Sequence, residues 1–142
     1  MSFQFTQVDV FSTTLLKGNP LAVVHEVIRD GFLLKHVPTI RDRYRAQRDA
    51  MSAALTAHMP AGCRWNTPRG GMFFWVELPA GVDAVTLLPK AVARGMAYVP
   101  GSAFYADHAR ANTLRLSFVT VAPAQIERGI QLLAQTLKEA SV

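Results

Sequence analysis

The stretch "TLRLSF" at 113–118 sets one arginine into a strand pattern. Leu114, Leu116 and Phe118 alternate with Thr113, Arg115 and Ser117, giving one apolar and one polar face. A guanidinium in mid-strand is rigidly aimed, and its planar fork matches a carboxylate in a bidentate pair. Taken alone, the pattern leaves two readings of Arg115 open: a clamp for a substrate carboxylate, or a surface arginine in an ordinary ion pair. The second chemically interesting stretch is "VPGSAFY" at 99–105. Pro100 before Gly101 predicts a type II turn with Gly101 at positive φ. Ser102 and the loop N–H groups can meet an anion there. Phe104 and Tyr105 either wall a pocket or plug the core.

Other chemistries find little support. His25, His36, His58 and His108 have no partner at i, i+4 and no carboxylate at a zinc spacing, so no metal site is expected. Cys63 is the only cysteine, which excludes an internal disulfide and fits a reducing, cytoplasmic setting. No histidine is placed by sequence to activate it. No G-x-S-x-G elbow occurs. Lys35, Lys90 and Lys138 stand in no setting that suggests a desolvated Schiff-base nitrogen. No residue of this chain is therefore assigned a catalytic role.

The elements that would position Arg115 follow from periodicity. "FQFTQVDVF" (3–11) and "LAVVHEV" (21–27) read as strands around the turn signal "LKGNP" (16–20), and "RDG" (29–31) ends the second. From Pro38 the period becomes helical. Ile40, Tyr44, Met51 and Leu55 form a stripe that ends at Pro60 and Gly62. Such a helix is ~30 Å long and often serves as a spine between domains. Part of its stripe, around Tyr44, Met51 and Leu55, is expected to be exposed or covered by a second copy. "MFFWVEL" (72–78) reads as a strand with apolar side chains on both faces, implying a second layer or a partner near Phe73 and Trp75. Asp83 can cap a helix over 84–94 with Val85, Leu88 and Val92 inward and Pro89 inside. A short strand precedes the 99–105 loop. Pro123 opens a last helix with Ile126, Ile130, Leu133 and Leu137 on one stripe. The fold class is α/β in the sense of a two-layer α+β sandwich: a small open sheet with helices on one face, and a hairpin-like segment at the N-terminus. The strands at 72–78 and 113–119 are expected in the same sheet.

Composition bounds the rest. The chain has 142 residues, is half hydrophobic, and carries a net charge of +5, enough for one real core. The basic run "RDRYRAQRD" (41–49) has helical spacing and reads as a solvated helix face, not a nucleic-acid surface. No stretch is apolar enough to span a membrane, and no Sec signal is expected.

Two resemblances add to this. Residues 3–24, "FQFTQVDVFSTTLLKGNPLAVV", resemble the start of the phenazine-biosynthesis isomerase-like family. From about residue 25 the segments "RWNTPRGGMFFWVELP", "MAYVPGSAFY", "NTLRLSF" and "QIERGIQLLAQTL" resemble, in that order, the C-terminal small domain of a fold-type I aminotransferase dependent on pyridoxal phosphate (PLP). The subgroup is the one acting on 2-aminoadipate and aromatic or branched-chain amino acids. The resemblance divides the chain into residues 1–24 and 25–142. It implies that Arg115 binds the α-carboxylate of an amino-acid or 2-oxo-acid substrate, and that Gly101, Ser102, Phe104 and Tyr105 wall the same cleft. It also implies a large domain bearing the Schiff-base lysine, which is expected to be missing, so the chain reads as a truncated or fused fragment, inactive and without bound PLP by itself. The alternatives are an isomerase named from its N-terminus and a non-catalytic module that dimerises through the orphaned face.

Overall fold

The computed structural model describes the backbone of residues 5–10 and 19–24, and residues 30–140 in full. The readings placed on residues 3, 4, 11, 16–18 and 25–27, His25 among them, lie outside the described residues. The chain divides into two compact units, Met1–Arg41 and Asp42–Val142.

In the first unit, β1 (Phe5–Val10) pairs antiparallel with β2 (Asn19–Val24), with Phe5 opposite Val24 and Val10 opposite Asn19. The expected hairpin is thus a two-stranded sheet of its own. Asp30 and Gly31 both take positive φ, 61° and 73°, and turn the chain into the next helix.

Helix α1 spans Phe32–His58 and crosses from the first unit into the second. It begins six residues before Pro38, where the periodicity had placed its start. Pro38 is tolerated inside because the surrounding turns are exposed, and the carbonyl freed by its missing N–H meets water. The stripe expected to be left open is instead buried: Met51 is 4% and Leu55 0% exposed, and Tyr44 packs on the same core. The exposed apolar side chains of α1 lie earlier, at Phe32, Leu33, Leu34 and Val37. In the basic run, Arg45 pairs with Asp42 at 2.9 Å and Arg48 with Asp49 at 2.6 Å. Gln47 turns inward and donates from Nε2 to the carbonyl of Val121.

The second unit is built on a four-stranded antiparallel sheet. Its strands are β3 (Arg64–Trp65), β4 (Phe73–Glu77), β5 (Val99–Pro100) and β6 (Thr113–Ser117), in the order β3-β4-β6-β5. Strands β4 and β6 are the central neighbours, with Trp75 opposite Arg115. The two-residue strand β3 escaped the sequence reading because two residues carry no period. Pro100 sits on an edge strand, where its missing N–H costs no ladder bond.

Helices α2 (Ala84–Ala93) and α3 (Pro123–Ala140) complete the layer with α1. The sheet's inner face supplies Phe74, Val76, Leu114 and Leu116, continued by Leu78 and Phe118 just past the strand ends. The α3 stripe of Ile126, Ile130, Leu133 and Leu137 is buried as its spacing demands. On α2 the inward face differs from the expected one. Ala84, Leu87 and Ala91 are buried, Leu88 is half-buried, and Val85 and Val92 are 52% and 53% exposed. The Asp83 cap, accepting from Val85 N at 2.7 Å, fixes where the helix starts. Ala84, Leu87 and Ala91 join the common core, and α2 packs chiefly on α3, a partner that hydropathy alone does not name.

Tyr98 ties α2 to the strand layer. It is buried and donates its hydroxyl hydrogen to the carbonyl of Ala84 at 2.8 Å. Burial, and secondarily the negative charge of Asp83, push its phenol far above the ordinary tyrosine range. The folded state therefore holds the proton more tightly than the unfolded chain. This stabilisation is intact below the unfolded value of about 10 and is lost as the pH rises from there toward the folded value. Urea melts between pH 8 and 11 should show stability falling above about pH 10, and Tyr98→Phe should flatten that fall.

Candidate functional site

The outward face of the sheet is set by strand alternation. Leu114 and Leu116 point into the core, so Arg115 points the other way, half-buried. Cross-strand register brings Trp75 and Val99 to its two sides. Phe73, one position along the same face of β4, places its ring 4.1 Å from the Arg115 guanidinium carbon. The two-sided apolar pattern of "MFFWVEL" thus finds partners on this face, Arg115 and the aromatic loop, while Phe73 stays 38% exposed and no full second layer covers it among the described residues.

The loop after β5 supplies another ring. Residues Gly101–Phe104 form one 3-10 turn, and the Phe104 ring lies 4.4 Å from the same guanidinium carbon. Trp75 meets Phe104 edge-on at 5.8 Å and Tyr105 at 6.1 Å. The aromatics of "VPGSAFY" therefore sit on the Arg115 side of the sheet and do not fill the core. Ser102 is half-buried on the same turn, and the structure gives its hydroxyl no hydrogen-bond partner among the described residues.

Gly101 does not take the positive φ that a type II turn requires. It is glycine for a different reason. A Cβ built there would lie 2.8 Å from Thr113 Cβ and 2.9 Å from the Thr113 carbonyl carbon. No side chain fits, because the Thr113 Cβ and carbonyl carbon it meets are held by the strand and cannot swing away. This close approach also removes Thr113 from the open face. Thr113 is fully buried and donates to the carbonyl of Arg110 at 2.9 Å. Of the three polar side chains expected beside each other, Arg115 and Ser117 alone keep an opening to solvent. Gly101→Ala should cost about 1–3 kcal/mol by forced overpacking and should shift the turn that carries Phe104. Denaturant melts, with fluorescence from Trp75 as the local probe, would register both.

Arg115 makes no hydrogen bond or ion pair with any described residue. Among the described residues its donors are free, while the nearby carboxylate of Glu77 is taken by Arg110. Burial pushes the Cys63 thiol up, away from the thiolate. His36 stacks on Phe32, and His58 meets Glu127 at 3.5 Å. Lys90 and Lys138 belong to α2 and α3, in the helix layer on the far side of the sheet, and Lys35 lies in the first turns of α1. Among the described residues no three His, Cys, Asp or Glu side chains gather as a metal site, and no helix is long and apolar enough to cross a membrane. The sequence reading missed Phe73 as a partner of Arg115. The signal was the unexplained second apolar face of β4, but its target needed the register.

The family described as aminotransferase class I and II matches residues 11–133. Among relatives, aromatic-amino-acid aminotransferase 1 of Thermococcus litoralis is 47% identical over 117 residues, covering 82% of this chain and 28% of the relative. The 2-aminoadipate transaminase of Thermus thermophilus is 39% identical over 116 residues, covering 82% and 29%. The crystal structure of a multiple substrate aminotransferase from Thermococcus profundus superposes with a TM-score of 0.77 at 43% identity, covering 82% of this chain and 29% of that one. The chain thus spans under a third of the length of the relatives it matches. The match begins at residue 11, inside the stretch 3–24 that the sequence reading set apart from the aminotransferase segments. With a match over most of its length, this chain belongs to the class I and II aminotransferases, a family of amino-group transfer enzymes that use PLP.

Proposed function

We propose that residues 25–142 are the small domain of an amino-acid aminotransferase and contribute the carboxylate-binding half of its site. The observation that carries this reading is Arg115: half-buried on the outward sheet face, flanked by two aromatic rings, and without an acidic partner among the described residues. An arginine kept unpaired in such a place suits an anion that comes and goes. Its ligand on this reading is the α-carboxylate of an amino acid or of the matching 2-oxo acid. Gly101, Ser102, Phe104 and Tyr105 supply the wall beside it. Aromatic and 2-aminoadipate relatives support a broad substrate range.

The cofactor is a separate matter. PLP supplies the electron sink of the family's chemistry when bound. The described residues do not fit it: the lysines of the second unit lie across the sheet from Arg115, and no cradle for the phosphate is built beside the arginine. We therefore assign no Schiff-base lysine and no cofactor site to the described residues, and no chemical step to this chain alone. A coupled transamination assay on the purified chain with added PLP should give no turnover. Turnover in the wild type that is lost in Arg115→Ala would overturn this assignment.

The setting we infer is cytoplasmic, with a small-molecule partner and no nucleic acid. The opening strands β1 and β2 are kept as the isomerase-like segment in form only. A homodimer remains part of the reading, now supported by Phe32, Leu33, Leu34 and Val37 in place of the buried Tyr44 stripe. Size-exclusion chromatography with light scattering should show a dimer, and Leu34→Glu should shift it toward monomer.

A further inference from the structure

We infer that Phe73 and Phe104 are positioning residues that hold the Arg115 guanidinium ready for a carboxylate, an inference that rests on the carboxylate-binding reading above. Both rings present their faces to the same carbon, at 4.1 Å and 4.4 Å. They come from different elements: Phe73 from β4, and Phe104 from the 3-10 turn after β5. Nothing in the core requires them there. Phe73 is 38% and Phe104 48% exposed, so neither ring belongs to the buried core.

The chemistry explains the arrangement. A free arginine side chain samples many rotamers, and binding an anion must freeze them. A carboxylate of the protein's own would freeze them too, but it would compete with the ligand. Aromatic faces attract the cation through the ring quadrupole and take none of its five N–H donors. The guanidinium is thus ordered while its hydrogen-bonding edges stay free. Phe104 is in turn braced by Trp75, which meets it edge-on at 5.8 Å. Its turn is seated by the approach of Gly101 to Thr113. A lysine at 115 would gain far less, because an ammonium has no plane to be set.

The test uses the full chain, with 3-phenylpropionate as the carboxylate probe and 3-phenylpropanol as its uncharged control. Protons held over ring faces are shielded, so the Arg115 Nε–H resonance should lie upfield of a free arginine in the wild type. In Phe104→Leu it should move back toward the free value, and affinity for 3-phenylpropionate should fall about 3- to 10-fold. Phe104→Tyr keeps the ring and should restore both readings, which a loss of packing alone would not predict. Phe73→Leu should behave as Phe104→Leu does. If Phe104→Leu and Phe73→Leu leave both readings unchanged while Arg115→Lys loses the probe, the positioning role is overturned and Arg115 keeps its own. If the wild-type chain binds 3-phenylpropionate no better than 3-phenylpropanol, the carboxylate reading itself fails and the positioning role falls with it.

Discussion

Phe74→Ala should destabilise the second unit by about 3–5 kcal/mol, the cost of emptying a fully buried aromatic site. Phe74 has 0% exposure and meets Phe118 edge-to-face at 5.8 Å. Phe118 in turn meets the Tyr44 ring of α1 at 6.5 Å. The three rings therefore link strand β4, the end of β6 and the long helix, and removing the Phe74 end of that chain leaves a cavity against Phe118 that the close-packed core cannot close. Against a typical net stability of about 5–15 kcal/mol, the loss is a large fraction. Urea unfolding followed by circular dichroism should show the midpoint falling with little change in slope. A change under 1 kcal/mol would mean that this core is far looser than its burial implies. Phe73→Ala, one residue away on the opposite face, should cost much less, because Phe73 is already partly in water.

Arg115→Ala should lower affinity for a carboxylate about 10- to 100-fold, the worth of a charge-assisted, forked hydrogen-bond pair. It should do so with little loss of stability. Arg115 is half-buried and has no hydrogen-bond partner to orphan among the described residues, so truncation leaves no unpaired charge behind. This separation of binding from folding is the expected signature of a ligand-facing group. Arg110→Ala is the useful contrast. Combined with Glu77→Gln, so that no freed carboxylate competes for Arg115, it removes a positive charge on the same side of the sheet and should leave carboxylate binding near the wild-type level. Titration of 3-phenylpropionate followed by Trp75 fluorescence compares the two. Equal losses in both variants would point to general surface charge and away from a specific fork.

Local periodicity carried much of the fold. The alternation at 113–118 placed Arg115 on the face away from the core, because successive strand side chains point to opposite sides wherever the strand lies. The stripe of Ile126, Ile130, Leu133 and Leu137 gave α3 and its buried face for the same kind of reason. Asp83 marked the start of α2, since a cap acts on N–H groups two and three residues away. The likeness of "GGMFFWVELP" and "NTLRLSF" to the small domain of aminotransferases was also legible from residues alone, and the family match over 11–133 agrees with it. The early start of α1 was not legible, because a proline inside an exposed helix looks in sequence like a boundary.

What only the tertiary structure decided is everything that depends on register and approach. Phe73 and Arg115 are 42 positions apart in sequence, and they meet because β4 pairs with β6 in one particular register. Gly101 looked like a residue chosen for backbone freedom, and it is a residue chosen for thinness against Thr113. Val85 and Val92 were expected inward, yet Ala84, Leu87 and Ala91 are the buried ones, since the face a helix turns inward depends on the surfaces it packs against. The sequence by itself thus determined which side chains share a face, through short-range geometry. Which faces meet, and how nearly, was decided by packing between elements remote in the chain.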